Sequence, residues 1–275
     1  MPDRWWYYPF TPTTQSTLAK KFVSTTAVTD YGNTQAITVA PTRAWGTTLA
    51  VGNITLLNRS GSTVATGMAV RYKVGTWHAG QVSAAEAYTD DTTDAQNATT
   101  GDFVMHDRTD SGSGFLVGAA EPFDILGIVQ SAAGDQTAPT KIIEYWNGSA
   151  WVDIVATLLI NDTLIGSGTG EKVLWWPLPP NWAVGGSGSG PIHQGRYNLR
   201  IRHTHSGAGT ANPVASQLFV GRTLVTVPSL GNNAIASQAQ DYVLRGPSSG
   251  EALFPVFSVA SALNTISVAF RYEEP

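Results

Sequence analysis

Residues 142–154 read IIEYWNGSAWVDI, in which two apolar and aromatic runs flank the pair Asn147-Gly148. An Asn-Gly pair in this setting is a strong signal for a β-hairpin, because both residues tolerate the positive φ angles of a tight turn. A two-residue turn would pair Trp146 with Ser149, and a four-residue loop would pair it with Trp151. Both registers give the hairpin the same two faces.

The two faces of the hairpin differ in chemistry, because side chains alternate across a strand. Ile143, Tyr145 and Val152 share one purely apolar side, which we expect to pack against a core. The other side, called the tryptophan face below, consists of Glu144, Trp146, Trp151 and Asp153. Tryptophans among carboxylates indicate a surface that contacts a glycan, a neighbouring subunit or a covering loop of the same chain.

The composition argues against several classes of function. Charged residues make up 13% of the 275 residues, against ~25% in typical soluble domains. The net charge of −4 comes with no cluster of lysine and arginine, which argues against nucleic-acid and anionic-membrane partners. The chain contains no cysteine, so disulfides, thiolate metal sites and cysteine catalysis are excluded.

The sequence also gives no signal for a membrane or for export. Spanning a bilayer takes roughly 18 or more consecutive apolar residues, and no run approaches that length. The stretch from Met1 to Phe10 lacks the apolar core and the small-residue cleavage site of a signal peptide. We therefore expect synthesis in the cytoplasm without that export route.

Short alternating runs separated by glycine, proline, asparagine and serine predict an all-β sandwich or barrel. Strands are predicted at Thr48–Leu57, Tyr197–His203 and Thr265–Tyr272, among others. We expect four zones: an aromatic N-terminal arm (1–22), a first set of strands (23–100), a tryptophan-rich block (101–225), and C-terminal strands after a linker that pair with the first set (226–275).

The N-terminal arm is unusually aromatic. Its large side chains are Trp5, Trp6, Tyr7, Tyr8 and Phe10. Each can bury on the order of 150–250 Å². The arm either packs on its own domain or docks on a partner subunit.

Two groups of residues resemble metal ligands without completing a site. The aspartates Asp90, Asp91, Asp94, Asp107 and Asp110 offer oxygen ligands, but their spacing fits no known calcium loop and aspartate also serves turns. His203 and His205 fall on one side of a strand end with no third ligand in view. We therefore expect no metal and no cofactor.

Motifs for nucleophilic catalysis are missing, and no phosphate loop is present. Glu144 and Asp153 resemble a glycosidase carboxylate pair, but a hairpin face by itself provides no cleft, so no enzyme activity is expected. Arg200 and Arg202 alternate with apolar residues on the strand 197–203. We expect a solvated arginine row there; the alternative is that the arginines pair with Glu144 and Asp153 or with an acidic partner.

Several elements together resemble a known family. These are Gly114–Gly118, Glu121–Asp124, Glu144–Trp151, Trp176-Pro177 to Trp182, and Tyr197–Arg202. As an ordered set over roughly residues 101–205, they resemble a jelly-roll β-sandwich module of structural proteins in tailed-bacteriophage particles. The resemblance implies a strand, a tryptophan hairpin, a proline corner and a closing strand. The chain departs from the family by inserting a Gly/Ser loop and residues 191–194 before Tyr197.

The resemblance, the low charge and the arm favour a non-enzymatic virion protein, namely a capsid decoration (cement) protein on the outer surface of the particle. The implied partners are the major capsid protein and further copies of the chain, as a homotrimer or other homo-oligomer. The arm aromatics would dock on the partner. A second contact surface, to a subunit or a glycan, would comprise Glu144, Trp146, Trp151, Asp153, Arg200 and Arg202.

Two alternatives remain open at this point. The first is a tail or baseplate module that binds host carbohydrate through its exposed tryptophans. The second is a glycan-degrading enzyme that uses Glu144.

Overall fold

The computed structural model describes residues 4–10, 20–23, 28–30, 36–37, 48–59, 61–72, 75–97, 102–166, 168–186, 192–245, 252–257 and 265–272. The chain forms two compact units, Met1–Lys73 with Gly221–Pro275 and Val74–Val220. The fold is all-β and its strands pair antiparallel, which confirms the predicted class. Within the described ranges, no helix is long and apolar enough to cross a membrane.

The described residues contain twenty strands, one short helix and one 3₁₀ turn. The strands of the first half are β1 (Arg4–Phe10), β2 (Lys20–Val23), β3 (Val28–Asp30), β4 (Ala36–Ile37), β5 (Thr48–Leu57), β6 (Val64–Arg71), β7 (Trp77–Val82), β8 (Tyr88–Asp90), β9 (Phe103–Val104), β10 (Gly114–Ala119) and β11 (Ile125–Ala132). The remaining strands are β12 (Thr140–Trp146), β13 (Trp151–Asp153), β14 (Ile160–Asn161), β15 (Gly170–Trp175), β16 (Tyr197–Thr204), β17 (Val214–Leu230), β18 (Ile235–Arg245), β19 (Ala252–Phe257) and β20 (Thr265–Tyr272). Helix α1 covers Thr92–Gln96, and the 3₁₀ turn covers Val155–Thr157.

The first unit joins the two ends of the chain. One of its sheets has the order β1-β20-β5-β18, so β20 lies between strands from the first sixty residues. In the other sheet, the second half of β17 pairs with β6, which pairs with β19, followed by β2, β3 and β4. The final two strands therefore pair with the first set of strands.

The second unit is a jelly-roll-like sandwich. One sheet has the order β13-β12-β16-β10-β7-β8, and the first half of β17 joins β11, β15, β14 and β9 in the other. Consecutive strands β10, β11 and β12 alternate between these sheets, as do β15, β16 and β17. Phe103 of β9 meets Phe115 of β10 edge to face at 5.5 Å, and both rings are fully buried. The core of this unit therefore lies between its two sheets.

An aromatic cluster closes one end of this sandwich after β15. Prolines at positions 177, 179 and 180 stop the strand, because proline cannot donate to a β-ladder. Trp182 then folds back, with its ring centroid 4.9 Å from that of Phe123 and 6.0 Å from that of Tyr145. Its indole N–H donates to the carbonyl of Asn198 at 3.1 Å. The proline corner thus fixes the chain path between the sheets.

The structure places two boundaries differently from the sequence zones. β7 and β8 belong to the six-stranded sheet of the second unit, so the N-terminal segment of the first unit ends at Lys73 rather than near residue 100. The linker expected after residue 226 contains β18, which pairs with β5 from Ile235↔Leu57 to Arg245↔Thr48. β18 is an edge strand rich in small and polar residues, so it lacks the apolar alternation that marks a buried strand.

Part of the predicted arm is a strand. β1 pairs with β20 from Arg4↔Tyr272 to Phe10↔Ile266. The surroundings of the side chains of Trp5, Trp6, Tyr7, Tyr8 and Phe10 lie outside the described part of the chain.

Candidate functional site

The hairpin adopts the longer of the two predicted registers. β12 pairs with β13 so that Trp146 lies opposite Trp151. The N–H of Asn147 donates to the carbonyl of Ala150 at 3.1 Å, and the side-chain oxygen of Asn147 accepts the N–H of Ser149 at 3.0 Å. Gly148 has a φ of 100°, a conformation that favours glycine. The Asn-Gly pair therefore sits in the loop where the sequence placed it.

The apolar face of the hairpin packs inward as predicted. Ile143 and Tyr145 are buried and Val152 is partly buried. In the register with β16, Ile143 lies opposite Ile201 and Tyr145 lies opposite Leu199, and these two partners are fully buried. This face therefore forms part of the sandwich core.

The tryptophan face is covered in part by the chain itself. Trp146 is buried, and its ring meets that of Trp151 edge to face at 5.6 Å. A following loop crosses here, since the N–H of Ala183 donates to the carbonyl of Trp146 at 3.0 Å. Trp151 is partly exposed, whereas Asp153 is exposed and accepts the N–H of Val155 at 2.8 Å. Trp146 thus has a packing role and Trp151 retains a solvent-facing part.

Two arginines of β16 meet the hairpin through Glu144. Arg200 lies opposite Glu144 in the register of β12 and β16, and its Nε donates to Oε2 of Glu144 at 3.0 Å. Arg202 donates from Nε to the same oxygen at 3.1 Å and from Nη2 to Oε1 at 3.3 Å. The alternative in which the arginines pair with Glu144 is the one found; Asp153, named with it, forms no such pair among the described residues.

Arg200 also binds a carboxylate that the sequence analysis missed. Its Nη1 donates to both carboxylate oxygens of Glu86 at 2.7 Å. Glu86 sits in the turn between β7 and β8 with a φ of 67°, a left-handed conformation that is uncommon for residues other than glycine. We call Glu86, Glu144, Arg200 and Arg202 the ion-pair cluster. A single exposed glutamate in a turn carries no local sequence signal for a partner 114 residues away.

The expected solvated arginine row is wrong for Arg200. Its side chain is 4% exposed, and its guanidinium carbon lies 4.3 Å from the ring centroid of Trp151. A buried charge needs paired and hydrogen-bonded partners, and the two carboxylates and the indole ring supply them. Both oxygens of Glu144 accept guanidinium N–H groups, so the two arginines hold this carboxylate in place.

A second polar cluster lies on the inner face of the same sheet. His106 lies with its ring centroid 5.5 Å from that of His203 and 5.2 Å from that of His205. His203 is 2% exposed, and neither of its ring nitrogens has a hydrogen-bond partner in the described part of the chain. Burial lowers the pKa of His203 to about 3. The imidazole is therefore neutral and its polar atoms are unsatisfied.

The histidines do not form a recognisable metal centre. His106 binds the hydroxyl of Ser113 through Nδ1 at 2.9 Å. Throughout the described ranges, no group of three or more histidine, aspartate or glutamate side chains is arranged to hold a metal ion. His203 and His205 stay a pair without a ligand set.

Three of the aspartates considered as calcium ligands accept hydrogen bonds from nearby turns, two of them from their own turn and Asp110 from the turn between β7 and β8. Asp90 accepts the hydroxyls of Tyr88 and Thr92 at 3.0 and 2.7 Å. Asp107 accepts the N–H of Thr109 at 2.9 Å, and Asp110 accepts that of Ala84 at 2.8 Å. These contacts give the aspartates a role in turn geometry.

A small cavity adjoins the buried histidine. Lys141 lies directly opposite His203 in the register of β12 and β16. Both line a cavity of about 160 Å³, which we call the lysine–histidine cavity; its other lining residues are Pro139, Asn161, Thr163, Leu164 and Ile165. Nζ of Lys141 donates to the carbonyl of Asp162, and burial lowers the pKa of Lys141 to about 8. No local sequence pattern indicated this site.

No protein-family model matches the chain, and no curated protein matches it.

Proposed function

We propose that this protein is a non-enzymatic structural protein of a tailed-bacteriophage particle. It acts as a capsid decoration protein on the outer surface, bound to the major capsid protein as a homotrimer or other homo-oligomer. The observation that carries the proposal is the position of the aromatic segment: five aromatic residues of seven occupy β1, at the edge of a four-stranded sheet.

An edge strand is suited to recognising another chain. β1 pairs with β20, and within the described ranges no strand pairs with its other side. Unpaired backbone N–H and C=O groups at an edge are a template for a further strand, and strand addition is a common mode of protein recognition. Aromatic residues are enriched at protein interfaces. Many copies on a shell make modest individual contacts sufficient.

The second unit supports the same proposal through the order of its elements. The tryptophan hairpin, the proline corner and the closing strand β16 lie in one sandwich, as the resemblance to phage modules implies. The ion-pair cluster supports a non-enzymatic role, because it commits Glu144 to two arginines.

One observation favours a second candidate, a tail or baseplate module that binds host carbohydrate. Trp151 is partly exposed on the same face of the sheet as Arg202, whose side chain is 23% exposed. Aromatic rings next to hydrogen-bonding groups suit sugar stacking. However, the ring of Trp151 already contacts Arg200 and Trp146, which reduces the surface that a sugar can use.

The test compares binding of variants to phage heads assembled without this protein. Threonine at all five aromatic positions of β1 retains a strand-forming residue and removes the five aromatic side chains. We expect at least a tenfold loss of binding to the heads, with circular dichroism and thermal melting showing an intact fold. Trp151→Ala is the matched control and should bind heads normally.

Three results would count against the proposal. Unchanged binding of the threonine variant would remove the role of β1. Absence of wild-type binding to heads would contradict the decoration role itself. Saccharide binding on a glycan array that disappears in Trp151→Ala would favour the tail module.

A further inference from the structure

We propose that Asn147 is a site of spontaneous deamidation, at which the side-chain amide leaves as ammonia and the residue becomes aspartate or isoaspartate. Asn147-Gly148 is the one Asn-Gly pair in the chain. The inference rests on the geometry of the hairpin loop alone and holds whichever partner the chain assembles with.

The reaction joins two atoms that are close neighbours along the chain, so it gains from proximity. The main-chain nitrogen of Gly148 attacks Cγ of Asn147, the new C–N bond closes a succinimide ring, and Nδ2 leaves as ammonia with the proton of the attacking N–H. Water then opens the ring at one of its two carbonyl carbons. Opening at Cγ gives aspartate, whereas opening at the main-chain carbonyl gives isoaspartate, in which the main chain runs through Cγ.

The first observation is the set of donors around the carbonyl that is attacked. Oδ1 of Asn147 accepts the N–H of Ser149 at 3.0 Å, the hydroxyl of Ser149 at 3.0 Å and the N–H of Ala150 at 2.8 Å. These bonds turn the side chain toward the following peptide units, as in an Asx turn. Negative charge develops on Oδ1 during the attack, and donors that already point at such an oxygen lower the barrier.

The second observation is an unhindered nucleophile. Gly148 is exposed, and its N–H donates no hydrogen bond within the described ranges. Glycine has no side chain that could obstruct the attack on the preceding residue. Its φ of 100° favours glycine, and a Cβ added here would lie 3.2 Å from that of Ala183. The loop conformation therefore requires at this position the residue type that hinders the attack least.

The third observation is a leaving group that is not held and that water can reach. Asn147 is partly exposed, and its Nδ2 makes no hydrogen bond in the described part of the chain. Asn58 and Asn198 are the opposite case. Both are buried, and the amide nitrogen of each donates to two main-chain carbonyls. The structure therefore separates Asn147 from asparagines whose amides are locked in place.

The two products differ in their effect on the hairpin. Aspartate keeps an oxygen that accepts the same donors and adds one negative charge. Isoaspartate adds a methylene to the main chain of a loop that spans only residues 147–150 between the paired Trp146 and Trp151. Within the described ranges β13 pairs with β12 alone, so the longer loop should loosen Trp151 from its contact with Arg200.

The experiment is to keep the full chain at neutral pH and body temperature for several weeks and to follow its tryptic peptides by mass spectrometry. We expect a mass gain of about one dalton at Asn147, in two chromatographic peaks for aspartate and isoaspartate. The peptide 142–172 also contains Asn161, so fragment ions must locate the change. Asn147 should react at least tenfold faster than Asn58, Asn161 and Asn198, and no more slowly in the folded chain than in urea.

A pair of serine variants tests the role of the donors. Ser149→Ala removes the hydroxyl that donates to Oδ1 and keeps both main-chain N–H donors. We expect the deamidation rate to fall about threefold, less than the ~100-fold that one donor supplies in an enzyme's oxyanion hole, because the loop is open to water. Ser131→Ala changes an exposed serine on β11 and should react like the wild type. A thermal melt checks the fold of both variants.

Three results would count against the inference. Deamidation of Asn161 before Asn147, or a lower rate in the folded chain than in urea, would overturn it, because the loop would then protect Asn147. An unchanged rate in Ser149→Ala would contradict the role of the donors. The isoaspartate form, separated by chromatography, should unfold at a lower urea concentration than Asn147→Asp, and equal midpoints would contradict the effect on the hairpin.

Discussion

Strand β16 carries two kinds of buried polar group, one on each face of the six-stranded sheet. On the outer face Arg200 has two carboxylates and an indole ring as partners. On the inner face His203 has no hydrogen-bond partner in the described ranges. Burial alone therefore does not reveal what a polar group does. A satisfied group holds the fold together, while an unsatisfied one costs stability.

The largest expected effect on stability comes from removing Arg200, the buried group whose partners are in place. Arg200→Met keeps an unbranched side chain but leaves the buried carboxylate of Glu144 with one partner fewer and frees Glu86. Removing one member of a buried ion pair costs roughly 3–5 kcal/mol. Because Arg202 still pairs with Glu144, we expect a loss near the lower end, about 3 kcal/mol in the free energy of unfolding. Urea denaturation measures it.

The matched control for this prediction lies on the same strand. Arg202→Met makes the same chemical change at a side chain that is 23% exposed rather than 4%. Exposed pairs contribute about 1 kcal/mol or less, so the control should be much milder. Equal losses of stability in the two variants would show that the buried Arg200 contributes no more than the more exposed Arg202.

A smaller effect should appear at His203, as a dependence of the free energy of unfolding on pH. Unfolding restores the ordinary pKa of His203, near 6.5, whereas the folded state holds it at about 3. The unfolded chain therefore binds a proton that the folded chain does not, and stability falls as the pH drops below about 6.5. His203→Leu removes this proton uptake. Between pH 6.5 and pH 5, wild type should lose roughly 1.5 kcal/mol more than the variant.

The same series of denaturation curves tests whether His203 is neutral in the folded state. His106 and Lys141 flank His203 and remain in the variant, so the difference between the two proteins isolates the one imidazole. If wild type and His203→Leu lose stability in parallel on acidification, His203 is not held neutral in the folded state. The description of His203 as a buried neutral group, in contrast to the ion-paired Arg200 on the other face of β16, would then be wrong.

The strand content was largely accessible from the sequence, because apolar alternation marks strands that bury one face. β5 and β20 have the predicted ends, and the hairpin loop begins with Asn147-Gly148. β18 was missed because it lies at a sheet edge, where small and polar residues replace the apolar pattern. The place of β7 in the second unit was missed because strand partners are a long-range property.

The candidate sites were accessible only in part. Register and alternation placed Arg200 and Arg202 on one face, and the alternative partner Glu144 was available from the sequence. Glu86 joins them from a turn between β7 and β8, and the depth of Arg200 depends on that contact. The lysine–histidine cavity depends on the pairing of β12 with β16 and on a wall from residues 161–165. No single segment carries that information.

The decoration role is tested most directly by imaging intact particles from the culture that produces this protein, labelled with an antibody fragment raised against it. We predict fragment density over the outer surface of the head, in a symmetric array that matches a homotrimer or other homo-oligomer. Density confined to the tail or baseplate would contradict the decoration role and favour the carbohydrate-binding candidate. Particles without any label would contradict the assignment to the virion.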